Sequence, residues 1–276
     1  MSRQIKLLGH VTISGEIEAL SGLHIGGIAD SIDKGGIDHP VIKNPVTNEP
    51  YIPGSSLRGR MRSLLEKKVG NLLYPMTSDI WMEMYEKIED ARSSEVCRVF
   101  GNSESEPGLP SILIVRDALY TERTKKDFMS CGLPKTEAKI EIAVDRITAH
   151  ALPRTIERVP AGARFDFSVV YKVQKDESWK ESVRNVSADL ENILWSLEEI
   201  EMHDGLGGNT SRGHGHVRIH LRSLTVKNFA DPTQKGLDLK AVELDNNKMN
   251  ANEIDKQADY QFREFLEAVQ KISDYA

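Results

Sequence analysis

The stretch GGIDHPVIKNPVTNEPYIPGSSLRGRMRSLLE, residues 35–66, holds the features around which the rest of the chain can be interpreted. In its second half Pro53 and Gly54 interrupt an extended segment, and apolar residues then recur at helical spacing. A helix is therefore predicted over residues 56–68, and either serine of the pair before Leu57 can cap its first turn.

Three arginines, Arg58, Arg60 and Arg62, fall in the first two turns of this predicted helix. The free N–H groups and the dipole of a helix N-terminus favour negative charge, so cations there do not stabilise the isolated helix. Their presence indicates a polyanion that binds at this end, and phosphate is the first candidate.

The first half of the stretch places one short carboxylate, Asp38, on a glycine-flanked turn that Pro40 stiffens. Such a turn presents the side chain outward, where it can take part in chemistry. Asp33 and Asp30 are further carboxylates upstream on the same predicted loop.

The chain has 276 residues and a formal net charge of -6, from 36 Lys and Arg against 42 Asp and Glu. This balance argues against a broadly basic nucleic-acid coat, so any RNA site must be a local basic strip, built around residues such as Arg58, Arg154 or Arg212. The N-terminus has no apolar signal core, and no run approaches membrane-spanning length. Two cysteines give no disulfide framework, so we expect a protein of the reducing cytoplasm with no membrane partner.

Periodicity predicts these elements: strand 5–20, helix 56–68, a helical insertion at about 70–108, strand 111–120, strand 162–173, helix 179–201 and strand 217–226. The order strand, helix, strand, strand, helix, strand is that of an α+β, ferredoxin-like β-α-β-β-α-β core. The charged residues between 121 and 139 are predicted to form a loop. Residues 228–276 are polar and acidic, with one predicted helix, and are expected to form a C-terminal extension.

A glycine-rich segment, GLGGNTSRGHGH at residues 205–216, lies between the last predicted helix and the last strand. Gly207 and Gly208 allow backbone N–H groups to approach an oxyanion, and Ser211 and Arg212 add side-chain donors. No Gly-Lys-Ser/Thr follows, so the segment is not a P-loop. A plain tight turn is the alternative interpretation.

Two residues with ligand character are predicted to be structural. Cys97 has no Cys-x-x-Cys partner and no nearby histidine, so it is interpreted as a small buried residue, and no structural zinc is expected. His24 is interpreted as a histidine half-buried beside the sheet, because no other residue of ligand type lies at a fixed spacing from it.

The run GGID, then PVI, then PYIPGSSLRGRMRSLLE, together with the G-x-G and R-G-x-G of the glycine-rich segment, resembles the RAMP superfamily of CRISPR systems. Within that superfamily the sequence resembles the repeated backbone subunit of the type III-A, or Csm, effector complex, over about residues 5–226. The resemblance implies that the serine-rich basic helix contacts guide RNA. It also implies that the aspartate of the GGID-type loop, Asp38, cleaves target RNA.

Residues 140–160 resemble the family's thumb, a protruding β-hairpin that pushes a nucleotide out of the guide–target duplex at regular intervals. Asp145, Arg146 and Thr148 match its Asp-Arg-x-Thr core, although an exposed turn pair with no function remains the alternative. The resemblance places the thumb at about 139–160 of a domain spanning residues 1–227. The implied RNA-binding residues are Ser55, Ser56, Arg58, Arg60, Arg146, Thr148, Arg154, Gly207, Gly208, Ser211 and Arg212.

The resemblance further implies a subunit that binds CRISPR guide RNA, assembles in several copies as a filament with other type III effector subunits, and cuts guide-complementary RNA at regular intervals. Two alternatives remain open: a scaffold that does not cleave, and a RAMP nuclease that processes CRISPR precursor RNA, with His24 and His39 as acid–base candidates.

In the cleaving case the RNA's own 2′-hydroxyl attacks the adjacent phosphorus and leaves a 2′,3′-cyclic phosphate and a 5′-hydroxyl. A lone aspartate with a low pKa is a poor general base at neutral pH. Asp38 is therefore expected to hold Mg²⁺ or another divalent cation, with Asp33 as the runner-up carboxylate.

Overall fold

The computed structural model of the protein describes residues 5–27, 39–176 and 185–229. The strands are β1 (Ile5–Ala19), β2 (Tyr51–Ile52), β3 (Tyr74–Pro75), β4 (Trp81–Met82), β5 (Leu113–Val115), β6 (Ala118–Tyr120), β7 (Glu137–Val144), β8 (Ala151–Arg158), β9 (Arg164–Asp176) and β10 (Val217–Asn228). The helices are α1 (Gly54–Val69), α2 (Ile88–Ser93), α3 (Glu95–Phe100), α4 (Glu122–Ser130) and α5 (Val186–Met202), with a short 3-10 helix at Thr210–Arg212.

The main sheet is antiparallel throughout and has the order β10-β1-β9-β6-β2, with β5 also paired to β9. Strand β1 lies between β10 and β9, and Ile17 is in register with Ile219 on one side and Phe165 on the other. This mixed α/β architecture has its core between the sheet and the two long helices, and Met61 of α1 and Leu190 of α5 are fully buried there.

The long strands and the first helix confirm the predictions from periodicity, with boundaries that differ by a few residues. Strands β1 and β9 alternate buried and partly exposed positions over most of their length, which is the two-residue period of a half-buried sheet. Helix α5 confirms the predicted second helix from residue 186 onward. The start of that prediction, residues 179–184, lies outside the described residues.

Three local predictions are wrong. Part of the region expected to be a helical insertion, including Trp81, forms the small β3–β4 hairpin, and helices occur there only from residue 88 to 100. The predicted strand 111–120 is interrupted at Arg116 and Asp117 and gives β5 and β6, and Ile114 is 40% exposed. The predicted loop after residue 121 contains α4.

The interruption of the second strand explains how α1 begins. Helix α1 starts at Gly54, so Ser55 and Ser56 lie inside its first turn, and neither serine is the N-cap residue. Instead, the backbone N–H of Gly54 donates to Oδ1 of Asp117 at 2.7 Å. The carboxylate that satisfies this helix end therefore comes from 63 residues away along the chain.

Strands β7 and β8 form a separate two-stranded hairpin. Most of its side chains are exposed, including Ile147 at the turn, which is 95% exposed. None of the helices in the described ranges is long and apolar enough to cross a membrane.

Candidate nucleic-acid interface

Two short extended segments lie on either side of residues 28–38, which include the candidate catalytic carboxylates. The N–H of Gly27 donates to the carbonyl of Pro40, and the N–H of Ile42 donates to the carbonyl of Ile25, both at 2.9 Å. We call this pair of segments, residues 23–27 and 39–43, the loop stem. Asp38, Asp33 and Asp30 lie outside the described residues, and Asp38 is the covalent neighbour of His39, at the end of the stem.

Helix α1 presents Arg58 beside the short helix α3. The Arg58 guanidinium donates to the carbonyl oxygen of Phe100 and lies 5.4 Å from the centre of the Phe100 ring. Burial lowers the pKa of Arg58 from its ordinary value, and the positive charge of Arg62 acts in the same direction. A planar guanidinium held by a carbonyl and an aromatic ring keeps its charge and has little rotational freedom.

Arg60 connects α1 to the glycine-rich segment. Its Nε donates to the carbonyl of Gly205 at 3.1 Å, and its Nη1 lies 3.4 Å from Oδ2 of Asp204. The same segment contacts the loop stem, because the N–H of Gly208 donates to the carbonyl of His24 at 2.8 Å. The structure therefore joins Arg60 to the glycine-rich segment, whose Gly207 and Gly208 lie next to the loop stem.

Gly207 shows why this contact needs glycine. Its φ is +79°, in the left-handed region, and a Cβ built there would lie 2.2 Å from the carbonyl oxygen of His24. A side chain at this position would push the glycine-rich segment away from the loop stem. The glycine is thus required by close backbone approach as well as by backbone conformation.

The glycine-rich segment also contacts the β7–β8 hairpin. Nε2 of the fully buried His214 lies 2.8 Å from Oε1 of Glu141 on β7, and Nη1 of Arg212 lies 3.6 Å from the other oxygen of the same carboxylate. Burial alone would raise the pKa of Glu141, but hydrogen bonds from His214 and Lys139 lower it on balance. The carboxylate is therefore ionised at neutral pH and links the hairpin to the segment.

Asp145 builds the turn of the hairpin. Its Oδ1 accepts from the N–H groups of Ile147 and Thr148, both at 2.8 Å, and these hydrogen bonds, first from Thr148, lower the pKa of Asp145. This contact accounts structurally for the aspartate of the Asp-Arg-x-Thr sequence. It leaves Arg146 and Thr148 exposed at the tip.

The predicted RNA-binding residues thus fall into two groups. One group lies on the β7–β8 hairpin. Arg146 and Thr148 are at its tip, separated from α1 by much of the hairpin, and Arg154 pairs in register with Glu141 partway along it. The remaining predicted residues lie on α1 or the glycine-rich segment: Ser55, Ser56, Arg58, Arg60, Gly207, Gly208, Ser211 and Arg212.

The two candidate histidines and the buried cysteine lie in different surroundings. His24 is 8% exposed and its Nδ1 lies 2.7 Å from the carbonyl oxygen of Glu157, whereas His39 is exposed. Cys97 is fully buried, which confirms its interpretation as a core residue, and burial raises the pKa of its thiol to about 11. Within the described ranges, no three His, Cys, Asp or Glu side chains form a group that could hold a metal ion.

Sequence reasoning missed three acidic residues that assemble this region: Asp117, Glu141 and Glu157. Asp117 holds the start of α1, Glu141 joins the hairpin to the glycine-rich segment, and Glu157 joins the hairpin to the loop stem. Each contacts a residue at least 63 positions away in sequence. No local pattern could have identified them, because their partners become neighbours only in the folded chain.

Comparisons with known proteins agree on one family. The model of the RAMP superfamily matches residues 16–218. A protein of Enterococcus italicus named CRISPR system Cms endoribonuclease Csm3 is 38% identical over 214 residues, which cover 78% of this chain and 91% of that protein. A protein of the same name from Streptococcus thermophilus is 38% identical over 218 residues, with 78% and 90% covered.

One solved structure supports the fold. The Methanopyrus kandleri Csm3 crystal structure has a TM-score of 0.54 and 24% sequence identity, and the match covers 82% of this chain and 79% of that one. At this identity, the likeness is evidence for a shared fold alone.

Proposed function

This chain belongs to the RAMP superfamily, and on that premise we propose that it is an RNA-binding, RNA-cleaving backbone subunit of a type III CRISPR effector ribonucleoprotein. The observation that carries the proposal is its similarity, over most of both chains, to proteins named as Csm3 endoribonucleases. In this function several copies of the chain form a filament with other effector subunits, bind guide RNA and cut complementary RNA. Its place of action is the cytoplasm.

The proposed core is ferredoxin-like, with residues 1–227 as one domain and 228–276 as a C-terminal extension. The strand order β10-β1-β9 followed by β5 and β6 supports this, since it corresponds to the order 4-1-3-2 of the predicted β-α-β-β-α-β unit. Helices α1 and α5 are the two crossover helices of that unit, and both pack on the same core.

The proposed path of the guide backbone runs past the N-terminal half of α1 and the glycine-rich segment. Arg58, Arg60 and Arg212 supply positive charge there, and Ser55 and Gly208 are exposed. The guanidinium groups and the Ser55 hydroxyl can donate to phosphate oxygens without reading sequence, as a subunit that accepts any guide requires. Ser56 and Ser211 are further donors in the same proposal.

The β7–β8 hairpin is the proposed thumb. At roughly 3.3 Å per residue its eight-residue strands are about 26 Å long, and the exposed part beyond Glu141 is the proposed arm that extends over a neighbouring subunit. The exposed residues Arg146, Ile147 and Thr148 at its tip combine a cation, a large apolar side chain and a hydroxyl. This combination suits insertion at a base step with a contact to the adjacent phosphate.

Cleavage is assigned to Asp38, with Asp33 as the runner-up. Asp38, with Asp33, would hold the cation together with RNA phosphates, which suits Mg²⁺, since it is commonly held by one or two carboxylates together with substrate phosphates. A bound divalent cation offsets the negative charge that develops on the phosphate. The chain itself mainly positions the RNA so that a 2′-hydroxyl lies in line with the adjacent phosphorus, and the products are a 2′,3′-cyclic phosphate and a 5′-hydroxyl.

The test compares assembled complexes that contain the wild-type chain, Asp38→Ala, or Asp33→Ala as the matched variant in the same loop. After equal guide content has been confirmed, complementary RNA is supplied with Mg²⁺ or with a chelator. We expect evenly spaced cuts by the wild type and loss of cutting in Asp38→Ala, with assembly and RNA binding retained.

Each alternative has its own outcome in this experiment. Equal cutting by Asp38→Ala refutes its assignment, and cutting that persists in chelator refutes the metal. A wild-type complex that binds target and never cuts is a scaffold. A monomer that cuts repeat RNA unaided is a processing nuclease, although the burial of His24 does not favour a histidine-centred site.

A further inference from the structure

Glu157, near the end of β8, is a buried carboxylate that binds two different segments of the chain. Its side chain is 5% exposed. Oε2 accepts from the N–H of Val41 at 2.9 Å, and Oε1 accepts from Nζ of Lys43 and from Oγ1 of Thr136, both at 2.5 Å. Val41 and Lys43 belong to the loop stem, and Thr136 immediately precedes β7.

The backbone of Glu157 makes two more contacts with the same stem. Its N–H donates to the carbonyl of His39 at 3.0 Å, and its carbonyl oxygen lies 2.7 Å from Nδ1 of His24. Both ends of the loop stem are therefore attached to this one residue of the hairpin. His39 is the covalent neighbour of Asp38, so the contact reaches to within one residue of the proposed catalytic group.

Stability alone gives a weak reason for such an arrangement. Burying an ion pair removes two charges from water, and well-packed apolar residues of similar volume are often as stable or more stable. A buried charge that accepts several directed hydrogen bonds instead fixes the relative position of the groups that donate to it. Here those groups are the loop stem and the start of the hairpin.

We propose that Glu157 is a positioning residue for RNA cleavage, which holds the segment bearing Asp38 in fixed register with the β7–β8 hairpin. The inference rests on the proposed function and extends it. In that function the hairpin displaces a nucleotide over the neighbouring subunit and the segment bearing Asp38 acts on the RNA that this chain binds. The register between hairpin and loop stem therefore sets the spacing between the displaced nucleotide and the phosphate that is cut. The side chain of Glu157 bonds directly to the loop stem and to Thr136 at the start of the hairpin.

Two variants test the inference in assembled complexes. Glu157→Gln keeps the side-chain shape and removes the charge, and Thr136→Val removes one donor without touching the carboxylate. The control is Glu16→Gln, because Glu16 is also a buried carboxylate, 3% exposed, and pairs with Arg164 and Arg222 in the main sheet. The control therefore loses a comparable buried charge at a distance from the loop stem.

We expect Glu157→Gln to slow single-turnover cleavage by about 10- to 100-fold, because misplacing a reacting group by about 1 Å can cost roughly 100-fold. Cuts should also spread to neighbouring phosphodiester bonds, while guide content and target affinity remain within about twofold of the wild type. Thr136→Val should change rate and cut position in the same direction by a smaller factor. Hydrogen exchange of peptides covering residues 39–43 should accelerate in Glu157→Gln and not in Glu16→Gln.

The outcomes separate this inference from the proposed function. Unchanged rate and cut position in Glu157→Gln, or unchanged exchange of residues 39–43, would overturn the positioning role. So would an equal loss of cutting in Glu16→Gln at matched thermal stability. A wild-type complex that binds target and never cuts refutes the proposed function instead, and in that case the exchange measurement still decides whether Glu157 holds the stem.

Discussion

Gly207→Ala is expected to destabilise the contact between the glycine-rich segment and the loop stem. The glycine has φ +79°, and the added Cβ would lie 2.2 Å from the carbonyl oxygen of His24 and 2.9 Å from its carbonyl carbon. Both are backbone atoms, so relief requires the segment or the loop stem to move. The matched control is Gly213→Ala: Gly213 has φ +83°, but among the described residues no atom outside its chain neighbours lies within 4 Å of the position its added methyl would take.

Both variants lose stability through the left-handed backbone conformation, and Gly207→Ala has two further costs. A left-handed conformation costs either alanine about 1–2 kcal/mol. Gly207→Ala adds overpacking of about 1–3 kcal/mol and weakens the hydrogen bond from Gly208 to His24, worth about 0.5–1.5 kcal/mol. We therefore expect a loss of about 2.5–6.5 kcal/mol for Gly207→Ala, against about 1–2 kcal/mol for Gly213→Ala.

The measurement is equilibrium unfolding of the purified chain in denaturant, with the midpoint and the slope fitted separately for each variant. Domains are stable by only about 5–15 kcal/mol, so a difference of this size moves the midpoint clearly. Equal losses in the two variants would show that backbone conformation is the whole effect. That result would refute the close approach between the glycine-rich segment and His24.

Two further predictions concern guide binding and thiol chemistry. Arg58→Ala with Arg60→Ala should weaken guide association and flatten the plot of log K against log salt by about 1.4 units, since each phosphate contact on a single strand contributes roughly 0.7. The control Arg123→Ala, on an exposed ion pair of α4, should leave that slope unchanged. For the thiols, Cys131 is exposed, whereas Cys97 is buried and its pKa is raised to about 11, so a thiol reagent should modify one cysteine in the native chain and both after unfolding. Native modification of both would contradict the described burial of Cys97.

The parts of the fold that could be predicted are those with a strong local period. Strand β9 alternates buried Phe165, Phe167 and Val169 with more exposed positions, so its sequence alone identifies it. Helix α4 has the opposite character: only Thr124 and Phe128 are buried, and no apolar stripe marks it. Its one local signal is Thr121, whose Oγ1 accepts from the N–H of Thr124 as an N-cap.

At the β3–β4 hairpin the error is the opposite one, because a helix was predicted and a hairpin formed. Its apolar residues, including Ile80 and Trp81, have spacing that suggested a buried helical face, yet both are at least half exposed. Spacing reports a helix only when one face is buried, and here the side chains face outward. At the candidate site the local segments could be identified in the sequence, whereas the carboxylates that join them could not.

The arginines of α1 illustrate what only the folded structure can distinguish. In sequence, Arg58, Arg60 and Arg62 are equivalent, but Nε of Arg62 lies 2.9 Å from Oε1 of Glu66 and its Nη2 donates to the carbonyl of Glu83 at 2.7 Å. Its charge is therefore neutralised within the protein. The partners of Arg58 are a carbonyl oxygen and an aromatic ring, which hold the guanidinium without cancelling its charge.

Arg60 is intermediate, since it donates to a carbonyl and faces one carboxylate at 3.4 Å. A cation that is already held in place loses less conformational entropy when a phosphate arrives, so it contributes more of its electrostatic attraction to binding. With a net charge of -6, the chain cannot attract RNA over its whole surface. It can do so where positive charge is fixed by neutral partners, and this condition favours Arg58 first, Arg60 second and excludes Arg62.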